Sequence, residues 1–388
     1  MIHDFQELLT RGVKEVIEKN HLTAALASKK KLRVKLGIDP TGADLHLGHA
    51  VPLWKLRKFQ EAGHRAVFII GDWTAMIGDP SGKDKTRVGL TEKQIKENSK
   101  HYFDQASKVL DKQKTEVHLQ SEWFKRFGLK EVIHLESLVT EKQILAHETF
   151  RQRIEKDLPF LHHETLYPLL QGYDSVAVKA DVELGALEQK FNLLMGRTVQ
   201  KAFGQEQQDI IIMPYLIGLD GKEKMSKTLN NYISLMDSAD EMFGKAMSLP
   251  DSLIKHYFEL CTEVPESEIW EIMRDHPKTQ KVRLAKEVIT IYHSAKAASA
   301  AEDEFNRKFG KGKGKIKADL EIRVHSEINV IDEVLVQGGL AASKSEAGRK
   351  VKEGAVEVDG KKVTNPKARV KLIKGGLIRL GKRFLRII

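Results

Sequence analysis

The sequence predicts an α/β protein with a parallel β-sheet, followed by a helical domain and a small α+β domain. An apolar strand pattern at 32–38 leads into a helical pattern that stops at Gly63, and a second apolar strand follows at 66–72. Strand, helix and strand with short connections form the repeating unit of a parallel sheet. Residues 237–309 have a helical pattern throughout, and residues 327–388 combine two helix patterns with a hairpin.

Composition limits the class of protein. A chain of 388 residues with 41% hydrophobic and 30% charged residues is typical of a water-soluble protein of two or three domains. Cys261 is the single cysteine, which excludes an internal disulfide and a cysteine-based zinc site. No apolar run approaches the roughly 20 residues of a membrane helix, and residues 1–20 lack the apolar core of a signal peptide. We therefore expect a cytoplasmic protein that does not interact with membranes.

The formal net charge of +10 is concentrated near the C-terminal end. Residues 331–388 contain 14 Lys and Arg against 6 Asp and Glu, and residues 307–317 contain 6 basic residues and no acidic ones. Such asymmetry indicates either a solvated basic tail or a surface that binds a polyanion. Because the same segment has the pattern of a folded domain, we favour nucleic-acid binding.

Other elements follow in chain order. Residues 1–30 have apolar residues at helical spacing, and residues 91–160 are mainly helical and charged. The segment 182–189 leads into a further helix, and Ile210–Met213 is a late core strand. The sequence Gly-x-Gly-x-x-Gly is absent, so the sheet is not the usual dinucleotide-binding type.

The stretch from Gly37 to His49 lies between the first strand and the first sheet helix. Its sequence predicts a turn-rich loop that ends at a helix N-terminus. Free backbone N–H groups at a helix N-terminus favour anions, His46 and His49 share one face of the first turn, and Gly48 leaves room for close approach. We infer a nucleotide site here.

Further segments contain polar residues in contexts that need explanation. The loop at 74–83 contains Asp79 and is either a binding loop or an ordinary turn. Gln171 and Asp174 share one face of an apolar helix, where they pair with each other, with the backbone, or with a polar ligand. The segment His162-His163-Glu164 suggests a metal site, but without a His-Glu-x-x-His spacing we favour solvated or structural histidines.

The C-terminal module has the features of a small RNA-binding domain. Ser343 to Glu346 is a capping box that opens a helix, and Asp359-Gly360 is the turn of a hairpin. Basic residues line this helix, which suits contacts to RNA phosphates. They are Lys344, Arg349, Lys350 and Lys352.

Two short motifs, one after the first strand and one after the last, occur in an order typical of one class of enzymes. His46-Leu47-Gly48-His49 opens a helix after the first strand, and Lys224-Met225-Ser226-Lys227-Thr228 follows the last strand. Together they resemble the paired signatures of class I aminoacyl-tRNA synthetases. The stretches 37–41, 77–83 and 170–177 resemble the bacterial tyrosyl-tRNA synthetase family, in a subtype with Lys35 where other members place a tyrosine near the substrate phenol. The C-terminal module resembles an RNA-binding domain shared with a small-subunit ribosomal protein.

The resemblance covers nearly the whole chain and implies four parts. Residues 1–228 are a Rossmann-like catalytic domain with a helical extension around 120–160 and a signature loop at 224–228. Residues 229–310 are an α-helical domain that binds the tRNA anticodon. Residues 311–326 form a basic linker, and residues 327–388 are the RNA-binding domain.

The resemblance also implies a two-step reaction with L-tyrosine, ATP accompanied by Mg²⁺, and tRNA(Tyr). Tyrosine attacks the α-phosphorus of ATP to form tyrosyl-adenylate and pyrophosphate, and the tyrosyl group then passes to the 3′ end of the tRNA. No side-chain nucleophile and no protein metal site are needed, because the protein orients the reactants and stabilises phosphate charge.

Residue roles come from the same resemblance. The catalytic set is Thr41, His46, His49, Lys83, Arg87, Lys224 and Lys227. The ATP-binding set is Gly37, Asp39, Gly48, Gly185, Glu188, Met225, Ser226 and Lys227. The tyrosine-binding set is Thr74, Asp79, Tyr167, Gln171, Asp174 and Gln189, with Asp174 at the phenol, Asp79, Tyr167 and Gln171 at the ammonium and Gln189 near the carboxylate.

One departure from the family lies at Gly185-Ala186-Leu187-Glu188-Gln189, where members usually have Gly-Gly-Thr/Ser-Asp-Gln. Ala186 adds a methyl group and could restrict φ, and Glu188 reaches one methylene further than aspartate. Either the loop compensates, which we favour, or adenylate formation is weakened. Alternative functions are a tryptophanyl-tRNA synthetase and a catalytically weakened RNA-binding relative. The resemblance implies a homodimer through the extension.

Overall fold

The computed structural model describes residues 5–81, 89–159, 161–309, 318–324, 328–381 and 383–388. The chain divides into two compact units, Met1–Glu302 and Asp303–Ile388. No helix among the described residues combines the length and the apolar character that crossing a membrane requires.

In the N-terminal unit strands and helices follow one another along the chain, and the strands form one sheet. Its elements through the last sheet strand are α1 (Phe5–Thr10), β1 (Glu15–Ile17), α2 (Lys19–Ala27), β2 (Arg33–Ile38), α3 (Leu47–Glu61), β3 (Arg65–Ile70), α4 (Thr74–Ile77), α5 (Glu92–Ser99), α6 (Tyr102–Ala106), β4 (Thr115–Leu119), α7 (Ser121–Phe124), α8 (Leu129–Glu136), α9 (Glu141–Leu145), α10 (Glu148–Glu155), α11 (Tyr167–Ala177), β5 (Val182–Ala186), α12 (Lys190–Ala202) and β6 (Asp209–Met213).

The six strands form one sheet in the order β1-β6-β5-β2-β3-β4. Strands β2 to β6 run parallel, and β1 pairs antiparallel to β6 at the edge. From β2 the chain builds the sheet outward through β3 and β4, and β5 then joins β2 on its other side. The carboxyl ends of β2 and β5 therefore form a topological switch point, which is where open parallel sheets bind ligands.

Burial explains the strand sequences. Strand β6 is buried at every position and β3 at all but its first. A strand with helices on both faces has no solvent-facing side, so its sequence is a continuous apolar run rather than an alternation. The predicted strand, helix and strand at 32–72 is confirmed as β2, α3 and β3, and the parallel-sheet fold class is confirmed with it.

Two sequence predictions were wrong in detail. Residues 1–30 are not helical throughout, because Glu15–Ile17 pairs with Ile210–Ile212 as an edge strand. The mainly helical stretch 91–160 contains strand β4, which pairs with β3. In both places pairing with a distant strand overrides the local pattern.

The remaining helices of this part of the chain follow the sheet. They are α13 (Ala239–Met247), α14 (Ile254–Cys261), α15 (Glu266–Ile272), α16 (Pro277–Tyr292) and α17 (Ala295–Phe309). The helical pattern predicted for 237–309 therefore corresponds to five helices, whereas the domain boundaries at 228 and 310 stay predictions.

After the end of α17, the described residues of the C-terminal unit form two helices and small sheets. Its elements are β7 (Leu320–Ile322), β8 (Ile328–Val330), α18 (Ile331–Gln337), α19 (Lys344–Lys352), β9 (Val356–Val358), β10 (Lys361–Val363), β11 (Arg369–Lys371), β12 (Leu377–Leu380) and β13 (Arg383–Ile387). The predicted hairpin is β9 and β10, with φ of 48° at Asp359 and 78° at Gly360. Ser343 caps α19, but Glu346 accepts from the N–H of Ala342 rather than of Ser343.

Candidate active site

A cleft of about 610 Å³ opens at the carboxyl ends of β2 and β5. Its lining contains all the predicted catalytic, ATP-binding and tyrosine-binding residues that the structure describes. These are Gly37, Asp39, Thr41, His46, Gly48, His49, Thr74, Asp79, Tyr167, Gln171, Asp174, Gly185, Glu188, Gln189, Lys224, Met225, Ser226 and Lys227. Lys83 and Arg87 lie outside the described residues. A smaller cavity of about 250 Å³ behind α3 contains none of the predicted residues.

One end of the cleft is the N-terminus of α3. The His46 and His49 rings lie 3.9 Å apart, centroid to centroid, and the backbone N–H of His46 donates to Nδ1 of His49 over 3.2 Å. Burial, with Lys227 and Lys224 nearby, lowers the pKa of His46 to about 3, and burial also lowers the pKa of His49 well below its usual value. Both rings are therefore neutral at pH 7, and each offers one N–H.

Gly48 stands between these histidines, where space is limited. A Cβ at this position would lie 3.0 Å from the ring of His46 and 3.6 Å from the Cβ of Met225. The glycine thus leaves room for the ring of His46, whereas a Cβ would make only an ordinary contact with Met225. A direct hydrogen bond also joins the start of α3 to the chain after the signature loop. The N–H of Leu47 donates to the carbonyl of Ile233 over 3.0 Å.

The loop that follows β6 holds the two lysines of its signature motif in different ways. Nζ of Lys227 donates to the backbone carbonyl of Asp44 over 2.8 Å, and burial lowers the pKa of this lysine. Nζ of Lys224 lies 2.6 Å from Oε1 of Glu188. Oε2 of Glu188 is buried and has no hydrogen-bond partner among the described residues. Lys224 and Glu188 therefore face each other across the cleft as an ion pair.

The loop at 185–189, whose sequence was expected to differ from that of the family, has ordinary backbone geometry. Ala186 has φ of −80° and ψ of 165°, which any residue adopts without strain, so its methyl group does not distort the backbone. Gly185 is required by packing, because a Cβ there would lie 2.8 Å from the side chain of Leu193. The glycine thus serves the contact between β5 and α12.

The opposite end of the cleft is a buried carboxylate, Asp174. Its Oδ2 accepts from Nε2 of Gln120 over 2.7 Å, and its Oδ1 accepts from Nε1 of Trp123 over 3.1 Å. Burial raises the pKa of Asp174 to about 7. Sequence reasoning missed Gln120 and Trp123, which follow β4, and the alternation at Thr115 to Leu119 is the signal that could have located that strand.

Two carboxylates lie between the ends of the cleft. Asp39 accepts from the hydroxyl of Thr74 over 2.7 Å and from the hydroxyl of Tyr167 over 3.0 Å. Asp79 accepts from Nε2 of Gln189 over 2.6 Å. Gln171 does not pair with Asp174, because its Nε2 donates to Oε1 of Glu183 over 3.3 Å.

The predicted RNA-contacting residues lie on α19 in the C-terminal unit. Lys344 lies 2.8 Å from Glu333, and Lys350 lies 2.9 Å from Glu353. The Arg349 side chain is 68% exposed. Exposed ion pairs of this kind are worth little and exchange readily for other anions.

Comparison with known proteins decides the family. A family model described as class I tRNA synthetases (W and Y) matches residues 27–310, and a model of the S4 domain matches residues 331–378. A tyrosine–tRNA ligase of Moorella thermoacetica is 46% identical over 387 residues, covering 97% of this chain and 93% of its own. The chain belongs to the tyrosine–tRNA ligase family. Its C-terminal unit contains an S4 domain.

Other members of the tyrosine–tRNA ligase family are similarly close. One from Dehalococcoides mccartyi is 46% identical, covering 97% of this chain and 96% of its own. Tyrosine–tRNA ligase 2 of Vibrio cholerae is 45% identical, with 92% of each chain covered. Relatives of this closeness confirm the tyrosine interpretation over the tryptophan alternative.

Solved structures support the same fold. A truncated mitochondrial tyrosyl-tRNA synthetase of Aspergillus nidulans gives a TM-score of 0.67 at 21% identity, covering 79% of this chain and 94% of its own. The Archaeoglobus fulgidus tyrosyl-tRNA synthetase complexed with L-tyrosine gives 0.62 at 22% identity, covering 75% and 97%. At these identities the likeness shows the fold.

Proposed function

We propose that this chain activates L-tyrosine with ATP and transfers the tyrosyl group to the 3′ end of tRNA(Tyr). One observation supports this most directly. A single cleft has an anion-binding helix N-terminus at one end and a buried carboxylate at the other, 18 predicted residues line it, and both ends suit the two substrates of adenylation. ATP is a substrate of the family, and its phosphates suit the first end.

Asp174 is proposed to accept the phenol O–H of tyrosine. Each of its oxygens receives one hydrogen bond from a neutral donor, Gln120 or Trp123, and a carboxylate oxygen can accept two. The position facing the cleft is therefore available to a phenol. Phenylalanine would leave this buried acceptor unsatisfied, and this family is the standard example of rejection by that means.

The ammonium and carboxylate of tyrosine are proposed to bind between the two ends. Asp79, Tyr167 and Gln171 would hold the ammonium, with Thr74 beside them. Gln189, which donates to Asp79, would lie near the substrate carboxylate. Oε1 of Gln171 is buried and has no hydrogen-bond partner among the described residues, so it can accept from an ammonium.

ATP is proposed to lie along the N-terminus of α3. Thr41 and His46 would donate to the phosphates, with His49 on the ribose side and the adenine against Gly48. Gly37, Asp39, Gly185, Glu188, Met225 and Ser226 would line the nucleotide. Neutral imidazole N–H groups and a helix N-terminus stabilise the negative charge that grows on the α-phosphate without themselves titrating.

The leaving pyrophosphate is proposed to be gathered by lysines. Lys224 and Lys227 lie on the loop after β6, and Lys83 and Arg87, which lie outside the described residues, would join them. Mg²⁺ would enter bound to ATP. No group of three or more potential metal ligands from His, Cys, Asp and Glu occurs within the described part of the chain.

The tRNA is proposed to contact the basic residues of α19 in the S4 domain. Lys344, Arg349, Lys350 and Lys352 would meet phosphates, and their exposed acidic partners would be displaced at low cost. Residues 229–310 would approach the anticodon.

A homodimer is proposed through the helical extension. Exposed apolar side chains collect on α8, on α10 and in the following segment, and His162 lies 4.0 Å from Glu136, which places that segment beside α8. They are Leu129, Ile133, Ile154, Leu158 and Leu161. Exposed apolar side chains mark an interaction surface where they form a contiguous patch, as we propose for these five. In light scattering the variant Ile133→Glu should be a monomer. The control variant Ile373→Glu, at an exposed isoleucine of the other unit, should remain a dimer. A dimeric Ile133→Glu variant would contradict the proposal.

The decisive test of function is ATP–pyrophosphate exchange with each amino acid in turn. Exchange should require tyrosine and should be absent with phenylalanine and tryptophan. Exchange driven by tryptophan would restore the alternative function. Absence of exchange at saturating tyrosine and ATP, in a protein that still binds tRNA, would contradict the enzymatic proposal and favour the RNA-binding alternative.

A further inference from the structure

A buried ion pair lies at the cleft, with Glu183 among the lining residues and Lys35 outside the lining. Nζ of Lys35, in β2, is 2.9 Å from Oε1 of Glu183, in β5, and their side chains are 0% and 1% exposed. Desolvation of two charges often costs as much as their attraction returns, so an apolar pair could serve stability equally well. A role in the adjacent site therefore has to be considered.

Lys35 is directed at the helix that carries the tyrosine-contacting residues. Besides Glu183, its ammonium donates to Oγ of Ser175 over 2.7 Å and to the backbone carbonyl of Gln171 over 3.0 Å. Three N–H groups thus have three partners, and two of these belong to α11. Ser175 follows Asp174 directly in α11, and the charge of Lys35 acts on the Asp174 carboxyl.

Glu183 determines which atom Gln171 offers to the cleft. An ionised carboxylate only accepts hydrogen bonds, so the amide NH₂ of Gln171 must face it. Oε1 of Gln171 consequently points elsewhere, and no described residue donates to it. A protonated Glu183 could donate instead, and the amide would then be free to turn over. The charge on Glu183 therefore controls the polarity of Gln171.

The same pair acts on Asp174 with opposite signs. Lys35 from β2 and Glu183 from β5 are the charged groups that act on this carboxyl, whereas Gln120 and Trp123, from the segment after β4, are neutral donors. Burial raises the pKa of Asp174, Lys35 lowers it, and Glu183 raises it. Removing either member should thus shift the ionisation of Asp174 in opposite directions.

We propose that the Lys35–Glu183 pair is a positioning element for tyrosine selection, which fixes the orientation of the Gln171 amide and sets the charge around Asp174. The inference rests on the proposed function, because it assigns a cause to the polarity of the tyrosine end. Neither residue needs to touch the substrate ammonium or phenol. Glu183 is among the residues that line the cleft, whereas Lys35 is not, so Lys35 acts through Asp174 and Gln171.

The test compares tyrosine and phenylalanine binding by equilibrium dialysis over a range of pH on both sides of neutrality. The variants are Lys35→Met, Glu183→Gln and the double variant, in the full chain. Lys35→Met should raise the pH below which tyrosine affinity is lost and weaken tyrosine at pH 7 by about tenfold. Glu183→Gln should lower that pH, and the double variant should return it toward the wild-type value. Phenylalanine binding should not weaken as the pH falls in any of them, because phenylalanine makes no hydrogen bond to Asp174.

A matched control is Arg153→Met, which breaks another buried pair, with Glu164, whose side chains are 1% and 2% exposed and do not line the cleft. This control should leave the pH dependence of tyrosine binding unmoved. If Lys35→Met does not fold, Glu183→Gln and the double variant still measure the predicted opposite contributions. Shifts of the same sign in both single variants, or no shift in any, overturn the inference. A wild-type chain that binds no tyrosine overturns the proposed function as well, whereas normal binding with unmoved variants overturns this inference alone.

Discussion

Replacing Asp174 with alanine should abolish the preference for tyrosine over phenylalanine while leaving ATP use intact. The carboxylate is 2% exposed and receives hydrogen bonds of 2.7 Å from Gln120 and 3.1 Å from Trp123. With those two donors in place, the substrate phenol would supply the remaining hydrogen bond on the cleft side. The substitution removes the acceptor that distinguishes the two amino acids.

The magnitude follows from the type of hydrogen bond. A bond to an ionised acceptor is worth about 1.5–3 kcal/mol, so kcat/KM for tyrosine should fall about 10- to 150-fold. Phenylalanine makes no such bond and leaves the carboxylate desolvated without a partner. Its kcat/KM should therefore stay constant or rise when Asp174 is removed. Both changes reduce the ratio of the two amino acids.

The assay is ATP–pyrophosphate exchange with each amino acid at saturating ATP. A matched control is Asp209→Ala, because Asp209 is also 2% exposed, bonds to His21 over 2.9 Å and lies outside the cleft lining. The control measures the cost of losing a buried carboxylate, and its ratio of tyrosine to phenylalanine should equal that of the wild type. An unchanged ratio in Asp174→Ala would remove this residue from phenol recognition.

Three further predictions concern other parts of the site. Tyrosine Kd, measured by dialysis, should rise about tenfold per pH unit below the Asp174 pKa of about 7, because the protonated carboxyl is a weaker acceptor, whereas phenylalanine Kd should stay constant or fall. Lys227→Ala should lower kcat for exchange by about 100-fold with little change in KM for tyrosine; a change confined to KM would contradict a role at the phosphates. Deletion of residues 327–388 should spare exchange and abolish tRNA charging, and equal loss of both would refute the domain assignment.

The sequence could predict features that depend on short-range patterns. Strand, loop and helix N-terminus between Gly37 and His49 are encoded locally, and parallel strands bring their carboxyl ends to one edge of the sheet. The sequence alone could assign the loop at Lys224 to the site because the family resemblance pairs this motif with His46 to His49. The stretch from Gly37 to His49 and the loop at Lys224 both line the cleft.

Other features required tertiary information. Gln120 and Trp123 reach Asp174 only because Thr115–Leu119 pairs with β3, and that strand lies inside a charged segment with a helical pattern. Glu15–Ile17 is a strand because β6 offers an open edge. The pairing of Lys224 with Glu188 joins residues 36 positions apart, and no local pattern specifies it.

The lysine positions suggest how the cleft changes when ATP binds. In the structure Lys224 is paired with Glu188, and Lys227 is bonded to the carbonyl of Asp44, so each cation already has a partner. A triphosphate carries more negative charge than one carboxylate, and we expect it to attract Lys224 away from Glu188. The freed carboxylate could then accept from ribose hydroxyls. The extra methylene of Glu188 relative to aspartate would therefore let it meet both partners in turn, and we expect the loop to keep its acceptor.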